Sequence, residues 1–189
     1  MSIARIAGAT CLLVAVLTAD ARAHDEIVVG RDGAGQLKAH IDFLQPVSLP
    51  VSIFGGISGF AAAEPGLSSL FVDEPDEDFF APSGASSIRF VLLARDPGVE
   101  VWNDTGSGFM PIGGSFFLGP PFFDAHAIWN IPSGAPGAEY SLTIRFHDVN
   151  GVHADSDPVE LTFVSFPEPS GALILSGLCA LSLRRPVRG

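Results

Sequence analysis

The stretch Glu139-Tyr-Ser-Leu-Thr-Ile-Arg-Phe-His147 alternates, with Tyr140, Leu142, Ile144 and Phe146 falling on one face. A period of two marks a strand with one buried face. Asp148-Val-Asn-Gly151 then offers a turn, and Pro158-Val-Glu-Leu-Thr-Phe-Val164 runs back. Two patterned runs joined by turn residues read as a hairpin, the clearest in the chain. Upstream, residues 26–30 and 36–44 bracket Asp32-Gly-Ala-Gly35 as a second hairpin. Its return strand sets Leu37, Ala39, Ile41 and Phe43 against Lys38, His40 and Asp42. Residues 47–54 form an extended run interrupted by Pro50, and residues 87–94 are strongly apolar. Asp96-Pro-Gly98 is expected to turn residues 98–102 back against that apolar run. Shorter strands are expected at 116–118 and 125–129.

No segment between residues 24 and 165 keeps a helical period, and Gly and Pro punctuate it throughout. The expected fold class is all-β: an antiparallel β-sandwich, immunoglobulin-like or jelly-roll in style. Residues 55–86 are poorly patterned. They include the acidic run 73–78 and then Phe79-Phe80, which is expected to tuck under the sandwich. The Gly- and Pro-rich residues 104–121 read as a long surface loop.

The two ends differ from this middle. Arg5 precedes an apolar run from Ile6 to Leu17, and Ala21-Arg22-Ala23 is a small-x-small cleavage site. This is a secretory signal peptide over residues 1–23, with an apolar helix, and signal peptidase would leave His24 as the new N-terminus. At the other end Pro167-Glu168-Pro169 precedes an apolar run over residues 171–183, then Arg184 and Arg185. This tripartite pattern over residues 166–189 resembles the PEP-CTERM sorting signal of Gram-negative bacteria. The resemblance implies recognition and cleavage by an exosortase at the inner membrane, followed by a surface or extracellular destination. The run is about 20 Å of helix at ~1.5 Å per residue, short against a bilayer core of ~30 Å. That length suits a processing signal, with a retained membrane anchor as the alternative. Both cysteines, Cys11 and Cys179, fall in these ends, so the central domain, residues 24–165, is exported without a disulfide.

The chain carries a net charge of −11. The central domain keeps five basic residues (Arg31, Lys38, Arg89, Arg95, Arg145) against nineteen acidic ones, a net −14. Nucleic acid is excluded as a partner, because phosphates need a basic face. A hydrophobic content of 47% excludes a disordered acidic tail.

All five histidines lie in the exported domain. Imidazole with carboxylate is a common shell for zinc and copper. His40 with Asp42, and Asp124 with His126, are i, i+2 pairs on one strand face. His147 and His153 flank the terminal turn and are placed to approach each other. With His24 these form the candidate metal set. Zn²⁺ is the first candidate, with Cu and Ca as alternatives. His126-Ala-Ile-Trp129, Gly137-Ala-Glu-Tyr140 and Asp157-Pro-Val-Glu together resemble the repeat of actinobacterial wall-anchored surface proteins associated with metal uptake. An N-terminal His24 is similar to the start of periplasmic CopC-type copper proteins, and the resemblance implies copper at the N-terminal amine and imidazole. An N-terminal His brace also serves copper monooxygenases. The acidic run 73–78 suits calcium chemistry but lacks the EF-hand order. Trp102, Trp129 and Tyr140 are candidate platforms for sugars, with core packing as their other reading.

No nucleophile elbow, phosphate loop or triad spacing is present. The expected function is therefore non-enzymatic: an exported structural or binding module, with a polysaccharide matrix as one candidate partner. A copper protein built on His24 and a carbohydrate-binding module are the alternatives.

Overall fold

A computed structural model describes residues 25–166 apart from 55, 104, 105 and 107. The signal segment, His24 and the sorting segment from Pro167 onward, with their two expected helices, lie outside the described residues. The described part is mostly β. Its strands are β1 (Glu26–Arg31), β2 (Leu37–Ile41), β3 (Val47–Phe54), β4 (Ile57–Ala62), β5 (Gly66–Ser69) and β6 (Ile88–Arg95). They continue with β7 (Glu100–Trp102), β8 (Ser115–Gly119), β9 (Asp124–Ala125), β10 (Ile128–Ile131), β11 (Glu139–Asp148) and β12 (Val159–Phe166).

Two sheets pack as a sandwich. The smaller has the order β2-β1-β5-β9, and the larger β7-β10-β4-β3-β12-β11-β6-β8. The terminal hairpin forms as read, β11 against β12 with Leu142 opposite Leu161. The β1–β2 hairpin also forms, closed by the Asp32 carbonyl and carboxylate, which accept from the N–H groups of Gly35 and Gln36. Most of the strands feed one main core, and Ile57, Ala61 and Ile128 form a small second cluster against Trp102. Ile27, Val29 and Leu67 of the small sheet meet Phe90, Phe146, Phe163 and Trp129 of the large one.

The expectation of a purely antiparallel sandwich is corrected. Each sheet contains one parallel pair, β1 with β5 and β12 with β3. Parallel neighbours require a long crossover, and here the chain supplies it. After β2 it builds β3 and β4 in the large sheet and then returns to the small sheet as β5. Pro50 marks where β3 changes partner. Val47 to Pro50 pair with β12, and Val51 to Phe54 with β4. The missing N–H of a proline falls at the end of one ladder, where it costs least.

Three further expectations change. Residues 98–102 do not turn back on β6. Both edges of β6 are occupied, by β11 and β8, and β7 joins β10 instead. Asp96 is held by Ser141 of β11, whose N–H it accepts at 2.7 Å, and Gly98 lies under the Tyr140 ring. The run 125–129 is two strands, because β9 belongs to the small sheet and β10 to the large one. The unpatterned residues 55–86 contain β4 and β5. Phe79 is buried as expected, packed on Gly30, where a Cβ would stand 2.4 Å from its ring.

Gly59 of β4 has φ +122, and a Cβ there would lie 2.5 Å from the Ile131 carbonyl oxygen and 2.7 Å from the Pro132 Cα. Both neighbours are backbone, so no side-chain rotation relieves the clash. Gly59→Ala is expected to cost about 3 kcal/mol. Gly35→Ala also has a left-handed φ but open space around it, and is expected to cost about 1 kcal/mol. Urea midpoints of the two variants check the difference.

Candidate functional site

The small sheet ends at β9 and the large sheet at β8. The seam between these two edges is a cleft of about 520 Å³ lined by Asn103, Ser115, Phe117, Asp124 and His126 among others. Asp124 lies in β9 and His126 follows immediately after its end. Their side chains meet, with Asp124 Oδ1 3.3 Å from His126 Nε2. On the far side of the ring, Nδ1 lies 3.3 Å from the Ala63 carbonyl oxygen and 3.9 Å from Glu64 Oε1. The ring rests on the backbone of β5, where a Cβ at Gly66 would approach His126 Cε1 to 2.9 Å. Glu64 in turn accepts the Gly66 N–H at 2.9 Å. Ala63 and Glu64 were not legible as site residues, because they fall in the unpatterned stretch.

His40 and Asp42 border a smaller hollow of about 210 Å³, together with Glu74, Glu77 and Phe79. The acidic run expected as a loop is therefore brought beside the His40 pair. Part of that run serves the fold. Asp78 Oδ1 accepts the Gly33 N–H and Asp73 Oδ1 accepts the Ala81 N–H. The Lys38 ammonium donates to the carbonyls of Glu77 and Asp78.

His147 and His153 have different partners. His147 Nδ1 is 2.7 Å from Asp155 Oδ1, and the other oxygen of that carboxylate is 3.2 Å from the Arg145 guanidinium. The Arg145 guanidinium opposes a second cation at this carboxylate. His153 is buried and its Nε2 accepts the Ser83 N–H at 2.9 Å, which occupies that lone pair. Asp148, between them, organises the turn. Its carboxylate accepts the N–H groups of Ser87, Asn150, Val152 and His153. Burial pushes the Asp148 carboxyl up, but these four donors outweigh it and hold it below its ordinary 3.8. Among the described residues, no group of three or more His, Cys, Asp or Glu converges as a metal shell.

The aromatic candidates divide. Trp129 is core, fully buried, with its N–H donated to the Pro65 carbonyl at 2.9 Å. Trp102 is half-buried, donates to Glu100 and tilts against the partly exposed Phe109. Tyr140 covers Gly98. The sequence did not suggest the pair Phe71 and Phe122, which stack at 5.4 Å on the surface, each more than half exposed. Phe122 holds φ +73, a left-handed conformation rare for an aromatic. Its N–H donates to Ser69 Oγ at 2.6 Å, which ties the turn to β5.

No family model, no curated protein and no solved structure matches this chain.

Proposed function

We propose that this chain is an exported β-sandwich of a Gram-negative cell surface or extracellular matrix, acting there as a binding or structural module. Signal peptidase removes the N-terminal segment after Ala23. An exosortase acts at Pro167-Glu168-Pro169 while the apolar run and Arg184-Arg185 hold the tail at the inner membrane. The observation that carries this reading is the order of elements in the sequence: the Pro167-Glu168-Pro169 box, the apolar run over residues 171–183, then Arg184 and Arg185. Proline carries no amide N–H for a ladder and restricts the residue before it, a chemistry that suits a segment read by a processing enzyme. The absence of cysteine from residues 24–165 removes any need for oxidative folding on the way out. The net −14 of that domain keeps it soluble outside the cell and favours cationic or neutral partners.

The test is a P167A/E168A/P169A variant expressed in a host that has an exosortase. The wild-type protein is expected outside the inner membrane without its tail. The variant is expected in the membrane fraction at the mass that includes the tail. Equal mass and equal distribution of the two would overturn the reading.

A further inference from the structure

We propose that Asp124 and His126 chelate a borderline divalent cation, Zn²⁺ or Cu²⁺, at the mouth of the cleft between β8 and β9. Its biological use rests on the binding role proposed above, but its chemistry is independent of export.

His126 Nδ1 faces the Ala63 carbonyl oxygen at 3.3 Å. A carbonyl only accepts, so Nδ1 carries the hydrogen, and Glu64 Oε1 at 3.9 Å favours the same tautomer. In the neutral ring Nε2 then carries the lone pair, with Asp124 Oδ1 3.3 Å away. A lone pair and a carboxylate oxygen do not attract each other. The contact is favourable only when a positive charge lies between them, as a proton or as a metal ion.

The spacing suits the metal. With Zn–N and Zn–O bonds of roughly 2.0–2.2 Å, donors 3.3 Å apart subtend about 105° at the ion, close to a tetrahedral angle. The carbonyl behind Nδ1 is the outer-shell acceptor that orients a ligating imidazole. Packing of the ring on Gly66 fixes that orientation before any ion arrives. A nitrogen and an oxygen donor select zinc or copper over calcium and magnesium, which prefer oxygen alone. The Asp155–His147 pair has a similar donor set, but the Arg145 guanidinium already neutralises its carboxylate.

Both donors line the cleft, and the Asp124 side chain is 71% exposed. The remaining coordination positions therefore open into the cleft. Water fills them in the free protein. Oxygen donors of a bound polymer or of a neighbouring molecule displace that water, so the ion bridges the sandwich to its ligand.

The experiment is calorimetric titration of ZnCl₂ into the full chain, purified without a polyhistidine tag, at pH 7. One dominant site is expected for the wild type. Asp124→Asn and His126→Gln are each expected to weaken it at least tenfold, while His40→Gln and His147→Gln leave it unchanged. CaCl₂ at equal concentration is expected not to compete. Asp124→Asn changes an exposed group and keeps the melting temperature without metal, so its result does not depend on folding. Absence of Zn²⁺ binding, wild-type affinity in both Asp124→Asn and His126→Gln, or loss on His40→Gln instead would each overturn the proposal. None of these outcomes bears on whether the tail is processed.

Discussion

Trp129→Ala is expected to lower the stability of the sandwich by about 3–5 kcal/mol, the range for truncating a large core aromatic. The indole is fully buried on β10. It stacks between Phe90 of β6 and Phe163 of β12, with ring centroids 6.1 and 5.5 Å away. Alanine removes both stacks and leaves a cavity that three strands of one sheet cannot close without losing register. It also strands the Pro65 carbonyl, which accepts the indole N–H, and an unmet buried acceptor costs about 1–3 kcal/mol within that total. A domain of this kind has roughly 5–15 kcal/mol in all. Urea unfolding followed by far-UV circular dichroism is therefore expected to show a large drop in midpoint. Trp102→Ala, at a half-buried edge position, is expected to cost about 1 kcal/mol. Equal effects of the two substitutions would contradict the placement of Trp129 at the centre.

The second large effect is expected at Asp148. Four backbone N–H groups from two segments converge on its carboxylate: Ser87 before β6, and Asn150, Val152 and His153 in and just after the turn. Asp148→Ala leaves them without an acceptor and is expected to cost about 2–4 kcal/mol, part of it recovered where water reaches the exposed donors. The same donors favour the ionised form, so the folded pKa lies below the ordinary 3.8. A depressed carboxylate contributes stability that is fully present above the unfolded value and is lost as pH falls through the folded one. The contribution is thus intact at pH 6 and shrinks below pH 3.8. Asp148→Asn keeps one acceptor oxygen but does not titrate. Its stability deficit relative to the wild type is expected to be present at pH 6 and to narrow at pH 3, measured by urea midpoints at both. A deficit unchanged between the two would contradict the role given to the charge.

These two residues show what was legible in the sequence. Asp148 stood at the head of Asp148-Val-Asn-Gly151, a turn readable from residue types alone, because Asp, Asn and Gly each favour turns for a local reason. Alternation located β2 and β11, where one face lies in the core and the period of two survives, and the turns beside them located their partners β1 and β12. It failed for β5, Gly66-Leu-Ser-Ser69, where all four residues are buried and no polar face remains to alternate. It failed for β4, where Gly59 interrupts the pattern at a close approach of backbones. The parallel pairs were invisible for another reason. Hairpins are local, whereas β1 meets β5 and β3 meets β12 only after the chain has crossed between the sheets, and nothing local encodes that choice. The candidate site divides the same way. Asp124 and His126 were readable as an i, i+2 pair. The Ala63 carbonyl, Glu64 and the Gly66 backbone that hold the ring come from the unpatterned stretch and reach it only through tertiary pairing of β5 with β9.

Under the proposed function, the cysteine-free sandwich travels between two removable addresses and binds at the seam between β8 and β9. Intact-mass spectrometry of the protein recovered outside the inner membrane of an exosortase-bearing host reads the proposed processing of both ends in one experiment. The predicted result is a single species that begins at His24 and ends at or near Pro167-Glu168-Pro169, without the apolar run, Arg184 and Arg185. A recovered species that still carries Arg184 and Arg185 would contradict it.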